Sequence, residues 1–552
     1  MRTGLFVAAA AVLLAAPVVA PAADPPVVFQ TQPVGKLLDD ARAIATLLAG
    51  DAAAKELNDG IKKTFGEKGF DGLDLTRPIV GYFVVPADPE KSTVVVALPA
   101  TGEKAFLDLC ERFNKVPPKP LTGGLYELPP PNVGDPTVKA AMRFADGYAY
   151  LAAGKDPTPA LDPKALVPMA KLFDPAERAQ LSGKVYFDRL PKELRAKLAQ
   201  GIEEAKKQLA QQPIWLGPAV SDALKGASEE LTKLGTRYLD QVKDADTLTA
   251  RVNADPGTAE ASVELALTGK PGTTLAKDIA ARKPTTNRFT GLVTKDAAVG
   301  FRAQLPLFAP EVRKAAAIGL GSLQTAAANE APPPVRKSLD ELFKGLIRTV
   351  ESGEFDLAGA MRGPDKNGTF TIVGAISFED PKPLEKELKD LATNTPEVKD
   401  LVKFDVAKVG DVSIHEVKVG GLLPPEPQRM FSGSASVAVA FAPKGVYIAF
   451  GADAVGAVKE ALAAKGGPAP ALDVVLNPAR LAKVAVAGGG NATDITNLFG
   501  STDAPFTAGS LSIEGGKELR LRMTLSLRLF TALFTVRSTS SKFEPPPPAI
   551  KK

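Results

Sequence analysis

The stretch that decides the fold is Thr93-Val94-Val95-Val96-Ala97-Leu98, followed by the helical pattern GEKAFLDLCERF over residues 102–113. A short β-branched apolar run followed by apolar residues at helical spacing reads as a strand leading into a helix. The same sentence recurs later in the chain. Thr371-Ile372-Val373-Gly374-Ala375-Ile376-Ser377-Phe378 is followed by PLEKELKDLA over residues 383–392. The two are separated by about 280 residues, a weak but ordered self-match. Working outward, each helix is followed by a short strand, Leu125-Tyr126-Glu127-Leu128 in one half and Ile414-His415-Glu416-Val417 in the other. Each strand runs into prolines, Pro129-Pro130-Pro131 or Pro424-Pro425-Glu426-Pro427.

A hairpin follows in each half. Met142 to Ala145 turns at Asp146-Gly147 and returns as Tyr148 to Leu151. Asp-Gly is a strong signal for a two-residue hairpin turn, because its central residues need positive φ. The later hairpin runs Ser436 to Phe441, turns at Pro443-Lys444-Gly445 and returns as Val446 to Phe450. Then come Lys184 to Asp188 and Leu472 to Leu476, each leading to a helix start marked by Pro191 or Pro478. Both halves close on long strands of period two. Leu248, Ala250 and Val252 alternate with Thr249, Arg251 and Asn253, and Leu519, Leu521, Met523, Leu525, Leu527 and Leu529 alternate with polar residues. Such alternation predicts one face on a core and one in water. Helices with apolar stripes open each half, at Leu37 to Phe65 and at Glu311 to Val350. The expected fold is therefore α+β: two tandem related modules, each an antiparallel sheet with helices packed on one face.

The layout expected from these signals is a signal peptide at 1–23, a first module at 24–284, a second at 285–542 and a disordered proline-rich tail at 543–552. A helical hairpin at 191–243, turning at Pro213 to Pro218 around Trp215, is inserted in the first module. The leader has Arg2, an apolar run from Leu5 to Ala16 and an Ala20-Pro21-Ala22 site. That run is too short for a bilayer, which needs about 20 apolar residues. The expectation is an exported chain, periplasmic or extracellular and soluble after cleavage.

Composition narrows the chemistry. Among 552 residues there is one His, His415, one Cys, Cys110, and one Trp, Trp215. Two-His metal motifs, Cys-rich zinc sites, Cys-x-x-Cys redox pairs and intramolecular disulfides are excluded. With 67 basic and 63 acidic residues, the net charge of +4 gives no footprint for nucleic acid. Aromatic residues make up 6%, too few for stacking platforms for bases or sugars.

Four further phrases carry a resemblance. They are Gly72-Leu73-Asp74-Leu75-Thr76-Arg77-Pro78-Ile79, Glu103 to Leu109, Arg143 to Tyr150, and Met361-Arg362-Gly363-Pro364-Asp365-Lys366-Asn367-Gly368. Together the chain resembles a group of large exported hypothetical proteins of planctomycete-type bacteria. The resemblance implies export and this arrangement of elements; it implies no activity and no site residues.

His415 is the one residue able to act as a histidine base. In the self-match it falls on Tyr126, so the slot asks for a planar amphipathic side chain. Cys110 lies between Phe106 and Phe113 and reads as a buried thiol. Asp365-Lys366-Asn367-Gly368 opens like a calcium loop but lacks the further ligands and the closing Glu, and reads as a hairpin turn. Gly488-Gly489-Gly490 is followed by Asn491, not by the Lys-Ser/Thr of a phosphate loop. Arg520, Arg522 and Arg528 form a basic row that reads as a solvated face or edge protection. No catalytic, cofactor-binding or metal-binding residue is assigned, and no cofactor. The expected function is a non-enzymatic binding or structural protein of the cell envelope. Its partner is an unknown envelope or extracellular one, with no nucleic acid and no membrane span. Two alternatives stand beside it: a carrier of an apolar, lipid-like ligand between sheet and helices, and a carboxylate-based hydrolase.

Overall fold

The computed structural model describes residues 24–86, 92–130, 137–211, 225–282, 284–305, 309–395, 399–499, 501 and 503–529. The expected signal peptide, the corner around Trp215, Pro131 and the proline-rich tail lie outside the described residues. The chain divides into two compact units. One comprises Met1–Glu204, Gln241–Ala281 and Gly516–Leu521; the other comprises Ala205–Asp240, Arg282–Gly515 and Arg522–Lys552. Of the expected helical hairpin, the arms are Lys192–Gln211 and Lys225–Gln241. Most of the second arm belongs to the second unit, where Arg237 Nη1 meets Glu311 Oε1 at 2.9 Å.

The first unit contains β1 (Val27–Pro33), β2 (Pro78–Val84), β3 (Thr93–Pro99), β4 (Lys119–Pro120), β5 (Leu125–Leu128), β6 (Lys139–Ala145), β7 (Tyr148–Gly154), β8 (Leu181–Tyr186), β9 (Ala245–Asp255) and β10 (Glu260–Gly269). All pair antiparallel, in the order β4-β5-β6-β7-β3-β2-β1-β8-β9-β10. The β6–β7 turn forms because Asp146 and Gly147 both take positive φ, 51° and 73°. The helices Asp51–Phe65 and Glu103–Asn114 cover one face, closing a core of Phe65, Phe106, Leu109, Cys110, Leu128 and Met142. The opposite face carries Val80, Tyr82, Val95, Ala97 and Tyr150, closed by Ala160, Leu161, Val167 and Leu172 from a turn-rich segment. Burial there pushes the Tyr82 hydroxyl up to about 12.

The second unit contains β11 (Thr286–Asn287), β12 (Ala297–Leu305), β13 (Phe355–Arg362), β14 (Thr371–Ser377), β15 (Val402–Val409), β16 (Val412–Lys418), β17 (Ser436–Ala442), β18 (Gly445–Gly451), β19 (Gly467–Pro468), β20 (Leu472–Leu476) and β21 (Phe506–Glu514). The main sheet runs β15-β16-β17-β18-β14-β13-β12-β20-β21, again antiparallel throughout. β11 and β19 form a separate two-residue ladder. With that ladder set aside and each unit's strands counted from its own first, the strands of both units run 4-5-6-7-3-2-1-8-9, and the first unit adds its tenth after the ninth.

The registers agree as well. A row of paired residues crosses the first sheet through Tyr126, Met142, Leu151, Val96, Gly81, Phe29 and Gly183. The corresponding row crosses the second through His415, Val439, Ile448, Gly374, Gly359, Phe301 and Val474. In both, a Phe ring lies over a Gly on the next strand. A Cβ on Gly81 would sit 2.2 Å from Phe29 Cζ, and one on Gly359 would sit 2.5 Å from Phe301 Cε1. Both positions therefore require glycine for close approach.

Helices were expected on one face of each sheet; in the second unit both faces carry them. Pro333–Ser352 and Lys382–Asn394 pack at one end of the face that bears His415, around Phe378, Leu384 and Phe441. Pro425–Phe431 and Pro478–Ala487 pack at the other end, around Phe370, Phe431 and Phe450. The opposite face holds the helix Ala454–Ala463 against Ala358, Ala360, Ala375, Ala438, Ala440 and Ala449. Small side chains on both sides, including Ala457 and Ala461, let helix and sheet approach closely. The Asp453 carboxylate fixes the start of that helix by accepting from the Gly456 N–H.

Candidate functional site

His415 stands on β16 at the register position that Tyr126 holds on β5. It is 3% exposed. The Asp405 backbone N–H donates to His415 Nδ1 at 3.1 Å, which assigns the ring proton to Nε2. Nε2–H then donates to Glu385 Oε1 at 3.0 Å. The Phe404 and Phe441 rings flank the imidazole at 5.6 and 6.1 Å. Burial raises the Glu385 carboxyl, but the bonds from Lys389 and His415 outweigh it and hold the group below the usual carboxylate range.

The first unit repeats this bracket with other chemistry. The Tyr126 hydroxyl donates to Glu103 Oε1 at 2.5 Å, and Phe144 meets the Tyr126 ring edge-on at 6.0 Å. A ring on the sheet, a glutamate on the covering helix and a phenylalanine on the next strand occur in both units. Glu103 and Glu385 were not singled out from sequence. Aligning EKAFLDLC (103–110) with EKELKDLA (385–392) pairs them and would have found them. With both ring nitrogens bonded inside the fold, His415 offers no free lone pair to a substrate.

The remaining sequence candidates fall in separate places. Cys110 is buried, and burial pushes its thiol up to about 11, so it is not a thiolate at neutral pH. Asp365 Oδ1 accepts from the Asn367 and Thr369 N–H groups, both at 2.9 Å, and Gly368 takes φ 80°, making the β13–β14 turn. No group of three or more possible metal ligands occurs among the described residues. Gly488 and Gly489 end the helix Pro478–Ala487 as its cap. In the basic row, Arg520 Nη2 is bonded to Glu518 Oε1 at 2.5 Å, and Arg528 lies 5.8 Å over the Phe506 ring.

Along part of their length the alternating strands bury polar residues and leave apolar ones open, although Leu527 is buried and Leu267 and Leu519 pack against Ala245, Leu275 and Ile279. On β9 and β10 the polar residues Thr247, Thr249 and Ser262 are buried, while Val252, Val263 and Leu265 are open. The strand Leu519–Ser526 buries Thr524 and Ser526 and exposes Leu521 and Met523. In the second unit Asp473 is buried on β20 beside an exposed Leu472. Arg302, opposite Asp473 across β12 and β20, comes within 3.7 Å of its carboxylate. Burial raises the carboxyls of both Asp473 and Asp356. Arg302 and Asp473 lie on the closed face of β12 and β20, so the alternating Phe301 and Leu472 point to the opposite face. Phe301, Ile372, Ile448 and Leu472 are 37%, 40%, 51% and 44% exposed. Composition alone could not reveal this: alternation marks two faces but does not say which one opens.

Comparison of the chain with protein-family models, with curated proteins and with solved structures finds no match.

Proposed function

We propose that this chain is an exported, non-enzymatic binding or structural protein of the cell envelope, built by duplication of one α+β module. The common strand order and the matched registers of the two units support duplication. The leader pattern supports export, and among the described residues no helix is long and apolar enough to cross a membrane. The engaged nitrogens of His415 and the neutral, buried Cys110 support a role other than nucleophilic catalysis.

The observation that carries the binding role is the open apolar strip. The largest apolar patch on a soluble protein, about 300–600 Å2, is often a functional one. The strip favours the reading as a carrier of an apolar ligand, held on the sheet between its covering helices. Organic extraction of the protein purified from producing cells, followed by mass spectrometry, tests it. A lipid-like compound near one per chain is expected. A clean extract, together with a hydrolytic activity abolished by one substitution, would overturn the proposal.

A further inference from the structure

We infer that the trough over Gly374 holds a single acyl chain of an amphiphile; this names the ligand class and position within the reading above. Gly374 lies on β14 between two fully paired neighbours, Gly359 on β13 and Ile448 on β18. A Cβ built on it would make only ordinary contacts, with Ala358 O at 3.5 Å and Ile448 Cγ2 at 3.9 Å, so another carbon fits over this floor without a clash. Phe301 covers Gly359 on one side, Ile448 lies on the neighbouring strand on the other, and Ile372 lies two residues back along β14 on the same face. In the first unit the same register position is Val96, half-buried, where a side chain occupies the floor.

The choice of occupant follows from area and from hydrogen bonding. The four open side chains present roughly 300 Å2 of apolar surface. A second copy of the chain would need about 800 Å2 per partner for a stable interface. An added peptide strand needs a free sheet edge, and β14 has both edges paired. A peptide laid flat on this surface would leave its backbone groups without partners. A hydrocarbon chain carries none, and Phe301, Ile372 and Ile448 ask for nothing but apolar contact.

The test is a fluorescence titration of the full chain with a dansyl-labelled undecanoic acid. Saturable enhancement displaced by palmitate is expected. Gly374→Val, which copies the first unit, should weaken binding about tenfold or more by filling the floor. Ile448→Glu, at an exposed position, should do the same and covers the case in which Gly374→Val fails to fold. Val252→Glu, in the first unit, should leave binding unchanged. Loss with Val252→Glu but not with Gly374→Val or Ile448→Glu would overturn this site while leaving the apolar-carrier reading standing. No enhancement in the wild type, with a dimer in sedimentation that Ile448→Glu dissociates, would assign the strip to a second copy and overturn the inference. No enhancement and no dimer would overturn the inference and the carrier reading together.

Discussion

Gly345→Ala is expected to destabilise the second unit, although alanine is the better helix former. At an open helix position, glycine to alanine gains about 0.5–1 kcal/mol by reducing the entropy of the unfolded chain. Gly321, in the helix Pro310–Glu330, is such a position, because a Cβ there would meet nothing within 4 Å. Gly345, in the helix Pro333–Ser352, differs: its Cβ would lie 2.0 Å from Phe378 Cζ and 2.1 Å from Cε1. Carbon atoms pack at about 3.5–4.0 Å, so ring or helix must retreat by more than about 1 Å. The ring has nowhere to go, since Phe378 is 1% exposed and packed with Leu384 and Phe441. Overpacking of this kind costs about 1–3 kcal/mol. Set against the helix gain, the expected net loss is up to about 2.5 kcal/mol. Urea unfolding followed by near-ultraviolet circular dichroism would compare Gly345→Ala with Gly321→Ala, which should stabilise. Phe378→Leu in the Gly345→Ala background should recover part of the loss. Equal stabilisation by both alanines would refute the close approach of this helix to the sheet.

Two glycines under phenylalanine rings make a second case: Gly81→Ala and Gly359→Ala should each cost about 1–3 kcal/mol in chemical denaturation, whereas Gly374→Val should leave the unfolding midpoint close to that of the wild type. The Glu385 carboxyl is held low, so its contribution is present above its unfolded value of about 4.3 and lost as pH falls through the folded one. A stability profile against pH should therefore lose part of its acid-side slope in Glu385→Gln, the rest coming from other carboxyls held low, such as Glu177 and Asp365. Asp356 has the opposite sign: its raised carboxyl makes stability fall as pH rises from about 3.9 through the folded value. Asp356→Asn should flatten that limb in the same measurement, and an unchanged profile would count against its burial. Cys110, buried with its thiol near 11, should react with a maleimide at neutral pH only as fast as the first unit unfolds.

Much of the fold is legible in the sequence for local reasons. Asp146-Gly147 dictates its turn because both residues accept positive φ. The pairing of Tyr126 with His415 follows from matching short strands behind matching helices, and the registers place them at the same point of each sheet. Long-range contacts are less legible. Nothing local to Gly81 tells that the Phe29 ring lies over it, since that contact depends on which strands become neighbours. The orientation of the alternating strands is the clearest example. Val252 and Leu265 are apolar and Thr249 is polar, and burial scales send the first two inward. The structure sends Thr249 inward, because its face carries the Arg251 ion pairs to Glu177 and Glu264. A bonded polar network can occupy the closed side of a sheet and leave the apolar side open.

A crystal structure of the protein grown with decanoate would test the central claim most directly. Continuous density for the alkyl chain over Gly374, against Phe301, Ile372 and Ile448, is expected. A bare trough, or one filled by side chains of a neighbouring copy that also associates in solution, would contradict it.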